Sequence, residues 1–143
     1  ILIFPHQLQA ACELVKVLPD QPFVLDHMAK PDIEHHNISD WKRDFDKLAQ
    51  HENVVCKLSG LVTEAHWNVW HQRDFTPYLD AALDAFGPER LLYGSDWPVC
   101  LLSAEYAEVL CIANSLIDRM SLDEAKAVRG TNTLQFYGLQ ADQ

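Results

Sequence analysis

The stretch RLLYGSDWPVC, residues 90–100, decides the predicted fold because it places an acid just behind a short apolar strand. Leu91–Tyr93 has the pattern of a buried strand that stops at Gly94, and Asp96 follows two residues later. Pro98 cannot donate a ladder hydrogen bond, so the strand does not continue. A carboxylate just past the carboxyl end of a core strand lies where α/β folds place their chemistry, although an isolated acid there is more often a solvated strand end.

Three earlier apolar runs end on polar residues in the same way, at residues 1–4, 23–25 and 53–58. Helical patterns separate the four runs, which predicts right-handed βαβ units and a parallel sheet. The strands are apolar throughout, as expected where both faces are covered. The predicted class is therefore α/β, and four βα units amount to about half of a (β/α)8 barrel of roughly 250 residues. A small open sheet is the alternative.

Five helices are predicted from apolar residues at helical spacing and from their start and stop signals. The first covers residues 8–18, and the second follows Ser39 as N-cap. The other predicted starts are Thr76-Pro77, Ser103 and Ser121, and the predicted ends of the third and last helices are Gly87-Pro88 and Gly130.

Charge and cysteine content exclude several classes of function. The net charge of −10 argues against binding to nucleic acid or to an anionic membrane, since both need a surplus of Lys and Arg. No apolar run approaches the ~20 residues of a membrane-spanning helix. The four cysteines form no C-x-x-C pair, which predicts reduced thiols and a cytoplasmic protein.

Residues with acid–base or metal-binding chemistry lie at the end of every predicted strand or just beyond it. In chain order they are His6; Asp26, His27 and Lys30; Lys57 and Ser59; and Ser95 and Asp96. Parallel strands end at one edge, so these side chains are expected to lie close together. The pattern of His6, His27 and Asp96 fits either one Zn-like divalent ion or one substrate held between them. Taken singly, a histidine after a strand is more often a hydrogen-bonded structural residue.

Lys57 and the tryptophans have two interpretations each. Lys57 lies inside an apolar strand, where an ammonium is costly without a partner, so it forms an ion pair or contacts a substrate anion. Trp67 and Trp70 either line a substrate pocket or pack into one end of the core. Trp97 directly follows Asp96 and is a further candidate substrate contact.

Four segments together resemble the amidohydrolase-related branch of the amidohydrolase superfamily, which includes sugar-acid lactonases similar to L-fuconolactonase and rhamnonolactonase. They are FVLDHMAKPDI (23–33), NVVCKLSGLVTEA (53–65), FGPERLLYGSDWPV (86–99) and TNTLQFYGL (131–139). The family fold is a (β/α)8 barrel, and this sequence resembles its last four strands. The resemblance implies that residues 1–143 form one domain equivalent to the C-terminal half of the barrel.

The resemblance also implies roles for individual residues. Asp96 matches the acid after strand eight that handles the attacking water, and His6 and His27 match histidines that bind metal or substrate. Lys57 and Ser59 match a segment to which no step is assigned. The family's first strand carries a His-x-His pair that has no counterpart here, so one divalent metal ion or none is expected.

The function implied for the whole barrel is hydrolysis of a sugar-acid lactone, and the 143-residue chain by itself is expected to be inactive. Asp96 would act as general base, and His27, His6 or a metal ion would polarise the carbonyl. Lys30, Lys57, Ser59, Trp67 and Trp97 would contact the small-molecule substrate. A decarboxylase or hydratase on the same scaffold is an alternative, since a fold does not fix a reaction. A non-catalytic barrel fragment that associates with other copies through its open edge is another.

Overall fold

Three parallel strands form the sheet in a computed structural model that describes residues 1–140. The strands are β1 (Phe23–Leu25), β2 (Val54–Leu58) and β3 (Leu91–Tyr93), with β2 in the middle. Leu25 pairs with Cys56, and Cys56 pairs with Leu91, so the carboxyl ends of all three strands lie at one edge. The α/β class and the parallel sheet are confirmed.

Six α-helices accompany the sheet in the described part of the chain, and buried apolar residues of the first four form the core together with the strands. Burial alternates along β2, where Cys56 is fully buried and its neighbours Val55 and Lys57 are half-buried. Within residues 1–140, one face of β2 is therefore more tightly covered than the other. The helices are α1 (Leu8–Val17), α2 (Ser39–Ala49), α3 (Gln72–Phe86), α4 (Tyr106–Ile117), α5 (Leu122–Lys126) and α6 (Asn132–Tyr137).

The first predicted strand, residues 1–4, is not a strand in the structure. Only Ile1 pairs with β1: its amino group donates to the Val24 carbonyl at 2.6 Å, and its carbonyl accepts from the Asp26 amide at 2.9 Å. Phe4 already donates its amide to the Gln7 side chain at 2.9 Å, at the start of a 3-10 turn over Pro5–Gln7. The turn takes the backbone away from the sheet before a ladder can form.

Three helices begin at residues other than those predicted. The α2 helix has Ser39 as its first residue and Ile38 as its N-cap, without a side-chain cap. In the other two helices, acidic side chains cap the start. The α3 helix begins four residues before Thr76, where Asp74 accepts from the His71 amide at 2.7 Å. Its Pro77 lies in the second turn, where it cannot donate to the carbonyl four residues back. The α4 helix follows Glu105, whose amide donates to Glu108 at 2.8 Å, and so does not start at Ser103.

The C-terminal helical segment starts as predicted but extends further. Ser121 and Glu124 form the expected capping box: the Ser121 amide donates to the Glu124 carboxylate at 2.8 Å, and the Glu124 amide donates to the Ser121 hydroxyl at 3.3 Å. Gly130 lies within a π-helical turn, Ala127–Thr131, and does not end the helix. Gly138 ends α6 in the left-handed conformation, with φ of 64°. In the described residues no helix is long and apolar enough to cross a bilayer.

Candidate active site

The segments that follow the three strands meet at the carboxyl edge of the sheet and bring three predicted residues together. His27 lies in the turn after β1, Ser59 follows β2, and Asp96 follows β3. The Nδ1 atom of His27 lies 2.8 Å from Ser59 Oγ, and its Nε2 atom lies 3.6 Å from Asp96 Oδ1. The predicted convergence of His27 and Asp96 is therefore present in the structure.

The separation between His27 and Asp96 leaves both groups available to a ligand. At 3.6 Å, Nε2 and Oδ1 are too far apart for a hydrogen bond. An oxygen atom about 2.8 Å from each would fit between them. The two side chains are 18% and 13% exposed, so such an oxygen would be largely screened from bulk water. Electrostatic interactions are stronger in such a place than in water.

A left-handed backbone turn aims His27 into this site. His27, Met28, Ala29 and Lys30 have φ values of 51°, 52°, 57° and 50°, and none is glycine. The left-handed conformation costs roughly 1–2 kcal/mol for each such residue. Burial of Met28 and Ala29 and a 2.8 Å hydrogen bond from the Trp41 indole to the Met28 carbonyl offset this cost. The sequence DHMAK gives no signal for the turn, because it lacks the glycine that usually marks one.

Gly60 provides the space into which the His27 ring packs. Its φ is +66°, and a Cβ atom at this position would lie 2.7 Å from Cγ and Nδ1 of the imidazole. Real Cβ atoms do not approach other atoms so closely. The position therefore requires glycine both for its backbone conformation and for the approach of the ring.

Lys57 forms an ion pair with Asp26, which is the first of its two predicted interpretations. Its Nζ atom lies 2.5 Å from Asp26 Oδ1, and the two side chains are 26% and 30% exposed. That oxygen is buried and makes no directed hydrogen bond, so the attraction is that of two opposite charges. Direct binding of substrate by Lys57 stays a prediction, and its charge is already balanced.

Replacement of Asp26 by asparagine is expected to destabilise the fold. The Lys57 ammonium would keep its half-buried position and lose its counter-charge. The expected loss is on the order of 1–3 kcal/mol in the free energy of unfolding, measured by urea denaturation. Asp26→Asn combined with Lys57→Met should recover part of that loss, since the unpaired charge is gone. A double variant less stable than Asp26→Asn alone would contradict the ion pair.

Lys30 is also paired, with a residue to which the sequence assigned no role. Its Nζ atom lies 2.7 Å from Glu64 Oε1, and the same ammonium lies 5.4 Å from the centroid of the Phe4 ring. Glu64 belongs to a short 3-10 turn, Val62–Glu64, 34 residues further along the chain. Glu64 thus holds the Lys30 ammonium in place. Contact between Lys30 and a substrate stays a prediction.

The tryptophans divide between core and surface. Trp70 donates its indole N–H to the Ser103 carbonyl at 3.0 Å and packs edge-on against Phe75, so it plugs the core. Trp67 is 46% exposed and Trp97 is 64% exposed. Both are open to a ligand, and their contact with substrate stays a prediction.

The structure does not bring the three predicted metal ligands together. His6 is exposed and stacks on the Phe4 ring, with 6.2 Å between the ring centroids. In residues 1–140, no three side chains of His, Cys, Asp or Glu form a group that fits a metal ion. His27 and Asp96 supply two donor atoms, which by themselves do not meet the four ligands that zinc prefers.

Known proteins share this architecture at high similarity. The chain is 40% identical to an L-fucono-1,5-lactonase of Burkholderia multivorans, over 97% of this chain and 50% of that protein. It is 38% identical to an L-fucono-1,5-lactonase of Burkholderia ambifaria, over 95% of this chain and 48% of that protein. A crystal structure of an amidohydrolase from B. multivorans with bound zinc superimposes with a TM-score of 0.93 at 40% identity, covering 98% of this chain and 52% of that chain.

The extent of these matches agrees with the resemblance found in the sequence. The chain spans about half the length of the relatives it matches, as the predicted four βα units of a barrel would. The sequence profile of the amidohydrolase family matches residues 1–139, which is nearly the whole chain. The chain therefore belongs to the amidohydrolase family.

Proposed function

We propose that the protein hydrolyses the ring ester bond of a sugar-acid lactone, with His27 and Asp96 at the reacting atoms. The observation that carries the proposal is the pair itself: a histidine and a carboxylate 3.6 Å apart, screened from bulk water, at the carboxyl edge of a parallel sheet. The names of the two Burkholderia relatives support a lactone as the substrate class.

Asp96 acts as the general base in this proposal. Its carboxylate accepts a proton from a water molecule while the water oxygen forms a bond to the carbonyl carbon of the lactone. Asp96 is held at φ of 58°, a left-handed conformation that aspartate tolerates better than most residues. This backbone places the carboxylate beside His27.

His27 polarises the carbonyl. The N–H at Nε2 donates a hydrogen bond to the carbonyl oxygen and stabilises the negative charge that forms there. When the tetrahedral intermediate collapses, the bond between the acyl carbon and the ring oxygen breaks. The departing oxygen takes the proton held by Asp96, and the product is an open-chain hydroxy acid. All atoms and charges balance without another reactant.

A divalent metal ion stays a prediction for this chain. The two donors that meet in the described residues, His27 Nε2 and Asp96 Oδ1, do not make a complete metal site. A metal bound at Nε2 would take the place of the proton there, and would itself supply the positive charge that polarises a carbonyl.

Lactone turnover tests the proposal. The protein as its gene encodes it is assayed with L-fucono-1,5-lactone, with other sugar-acid lactones and with an aromatic carboxylic acid as a decarboxylation substrate. Hydrolysis of at least one sugar-acid lactone is expected, without release of carbon dioxide from the acid. Decarboxylation without lactone hydrolysis would contradict the proposal and favour the alternative chemistry on the same scaffold.

We also propose that the 143-residue chain, expressed by itself, self-associates. In residues 1–140, β1 and β3 are the outer strands of the sheet, and no further strand pairs with either of them. Ile1 bonds to part of the β1 edge, and the Asn132 side chain donates to the Leu91 carbonyl of β3. Strand edges that no other strand covers attract other strands. Sedimentation at several concentrations should show species larger than a monomer. A monomer at all concentrations would contradict this expectation.

A further inference from the structure

We propose that Ser59 is a positioning residue for His27: its hydroxyl donates to Nδ1 and so keeps the proton of the neutral imidazole on Nε2, facing Asp96. The inference rests on the proposed function, in which His27 Nε2–H contacts the substrate carbonyl. It gives Ser59 a role other than the substrate contact expected from the sequence. Ser59 is only 3% exposed, which leaves little of its surface for a substrate.

The direction of the hydrogen bond follows from what a buried hydroxyl needs. Ser59 Oγ lies 2.8 Å from His27 Nδ1, and in the described residues this is the hydroxyl's one hydrogen-bond partner. A buried O–H group that donates to no acceptor is unfavourable. Nδ1 is an acceptor only when it carries no proton, and a neutral imidazole then carries its proton on Nε2.

The charge on the other side of the ring favours the same tautomer. Nε2 faces the Asp96 carboxylate oxygen at 3.6 Å. A polarised N–H directed at a carboxylate is attracted, whereas a nitrogen lone pair in the same place is repelled. Ser59 and Asp96, on opposite sides of the imidazole, therefore select one proton position between them.

The surrounding packing prevents the ring from escaping this arrangement. Gly60 lies so close that even a Cβ there would be 2.7 Å from Nδ1. The backbone of His27 is in the left-handed conformation, and Met28 after it is fully buried. The ring is thus held by its backbone and by Gly60, and Ser59 supplies the polar contact that distinguishes the two nitrogens.

Nitrogen-15 NMR of the His27 ring tests the tautomer directly. In the unaltered protein at a pH where the ring is neutral, Nδ1 should have the shift of an unprotonated nitrogen and Nε2 that of a protonated one. Ser59→Ala should move both shifts towards each other as the tautomers mix. Ser103→Ala is the matched control: Ser103 is also buried, its hydroxyl has no hydrogen-bond partner in the described residues, and the His27 shifts should not change.

The kinetic test separates positioning from substrate contact. With L-fucono-1,5-lactone, Ser59→Ala should lower kcat by about 10- to 100-fold with little change in KM, the usual effect of removing a group that orients a catalytic side chain. Ser103→Ala should keep both constants. A raised KM with unchanged kcat would overturn the proposal, because Ser59 would then touch the substrate. A protonated Nδ1 in the unaltered protein would also overturn it.

The NMR and kinetic measurements distinguish a failure of the positioning role from a failure of the proposed function. If the protein hydrolyses no lactone but the His27 shifts respond to Ser59→Ala as expected, the proposed function fails and the positioning contact stands. If lactones are hydrolysed but the shifts and kcat are the same in Ser59→Ala, the positioning role fails and the proposed function stands. Thermal melting of each variant confirms that the measured changes belong to folded protein.

Discussion

Asp96→Asn is expected to lower lactone turnover by roughly 10²–10⁴-fold while the fold stays intact, because asparagine cannot accept the proton of the attacking water. The replacement keeps the size of the side chain. It also keeps the backbone, since Asp96 has φ of 58° and asparagine tolerates this conformation as well as aspartate does. The measurement is kcat/KM for L-fucono-1,5-lactone, with circular dichroism to confirm folding.

Asp20→Asn is the matched control for this prediction. Asp20 is exposed and lies in the turn between α1 and β1, at the opposite end of β1 from the site. Its replacement should leave kcat/KM within about twofold, since surface changes far from a site have small effects. Equal activity of folded Asp96→Asn and Asp20→Asn would show that Asp96 takes no part in the reaction.

Gly60→Ala is expected to destabilise the fold and to disturb His27 at the same time. The new methyl group would lie 2.7 Å from the imidazole, and alanine would have to adopt φ of +66°. Together these effects should cost about 2–5 kcal/mol, a large part of the 5–15 kcal/mol typical of a folded domain. Urea denaturation measures the loss, and kcat should fall because the ring must move.

Two other glycines separate the contributions to this loss. Gly138 has φ of +64° and open space where a Cβ would lie, so Gly138→Ala measures the backbone cost alone. Gly130 has neither a positive φ nor a neighbour within 4 Å, and Gly130→Ala should be neutral or stabilise by up to about 1 kcal/mol. A Gly60→Ala variant as stable as Gly138→Ala would show that the ring does not pack against Gly60.

Strand positions were predictable because continuous apolar runs bounded by breakers are distinctive. Phe23–Leu25 and Leu91–Tyr93 have the predicted bounds, and the middle strand begins one residue later than expected, at Val54. The prediction of a strand at residues 1–4 was wrong, because an apolar run alone does not show whether the segment pairs with a neighbouring strand before Pro5 turns the chain. The last helical segment continues beyond its predicted end at Gly130, because that glycine does not adopt the left-handed conformation with which Gly138 ends α6.

In the candidate site, the convergence of two side chains could be predicted, whereas the partners of the lysines could not. His27 and Asp96 could be predicted because each follows a strand whose carboxyl end lies at the shared edge. The partners of Lys57 and Lys30 are Asp26 and Glu64, which lie about 30 residues away in sequence. Only register and loop geometry determine which charges meet at such separations.

The turn that positions His27 was also beyond sequence reasoning. Four consecutive residues without glycine adopt positive φ there, against their intrinsic preference. Tertiary contacts, among them the buried side chain of Met28 and the bond from Trp41, override that preference. Strained backbone of this kind often lies at functional sites, and here it lies at the candidate site.

Hydrolysis in oxygen-18 water tests most directly the central claim that a water activated by Asp96 attacks the lactone carbonyl. The protein is incubated with L-fucono-1,5-lactone, and the product acid is analysed by mass spectrometry after fragmentation. One heavy oxygen is expected in the carboxylate, with none in the hydroxyl group released from the ring, and Asp96→Asn should form this product far more slowly. Label in the released hydroxyl, or no enzyme-dependent product at all, would contradict the claim.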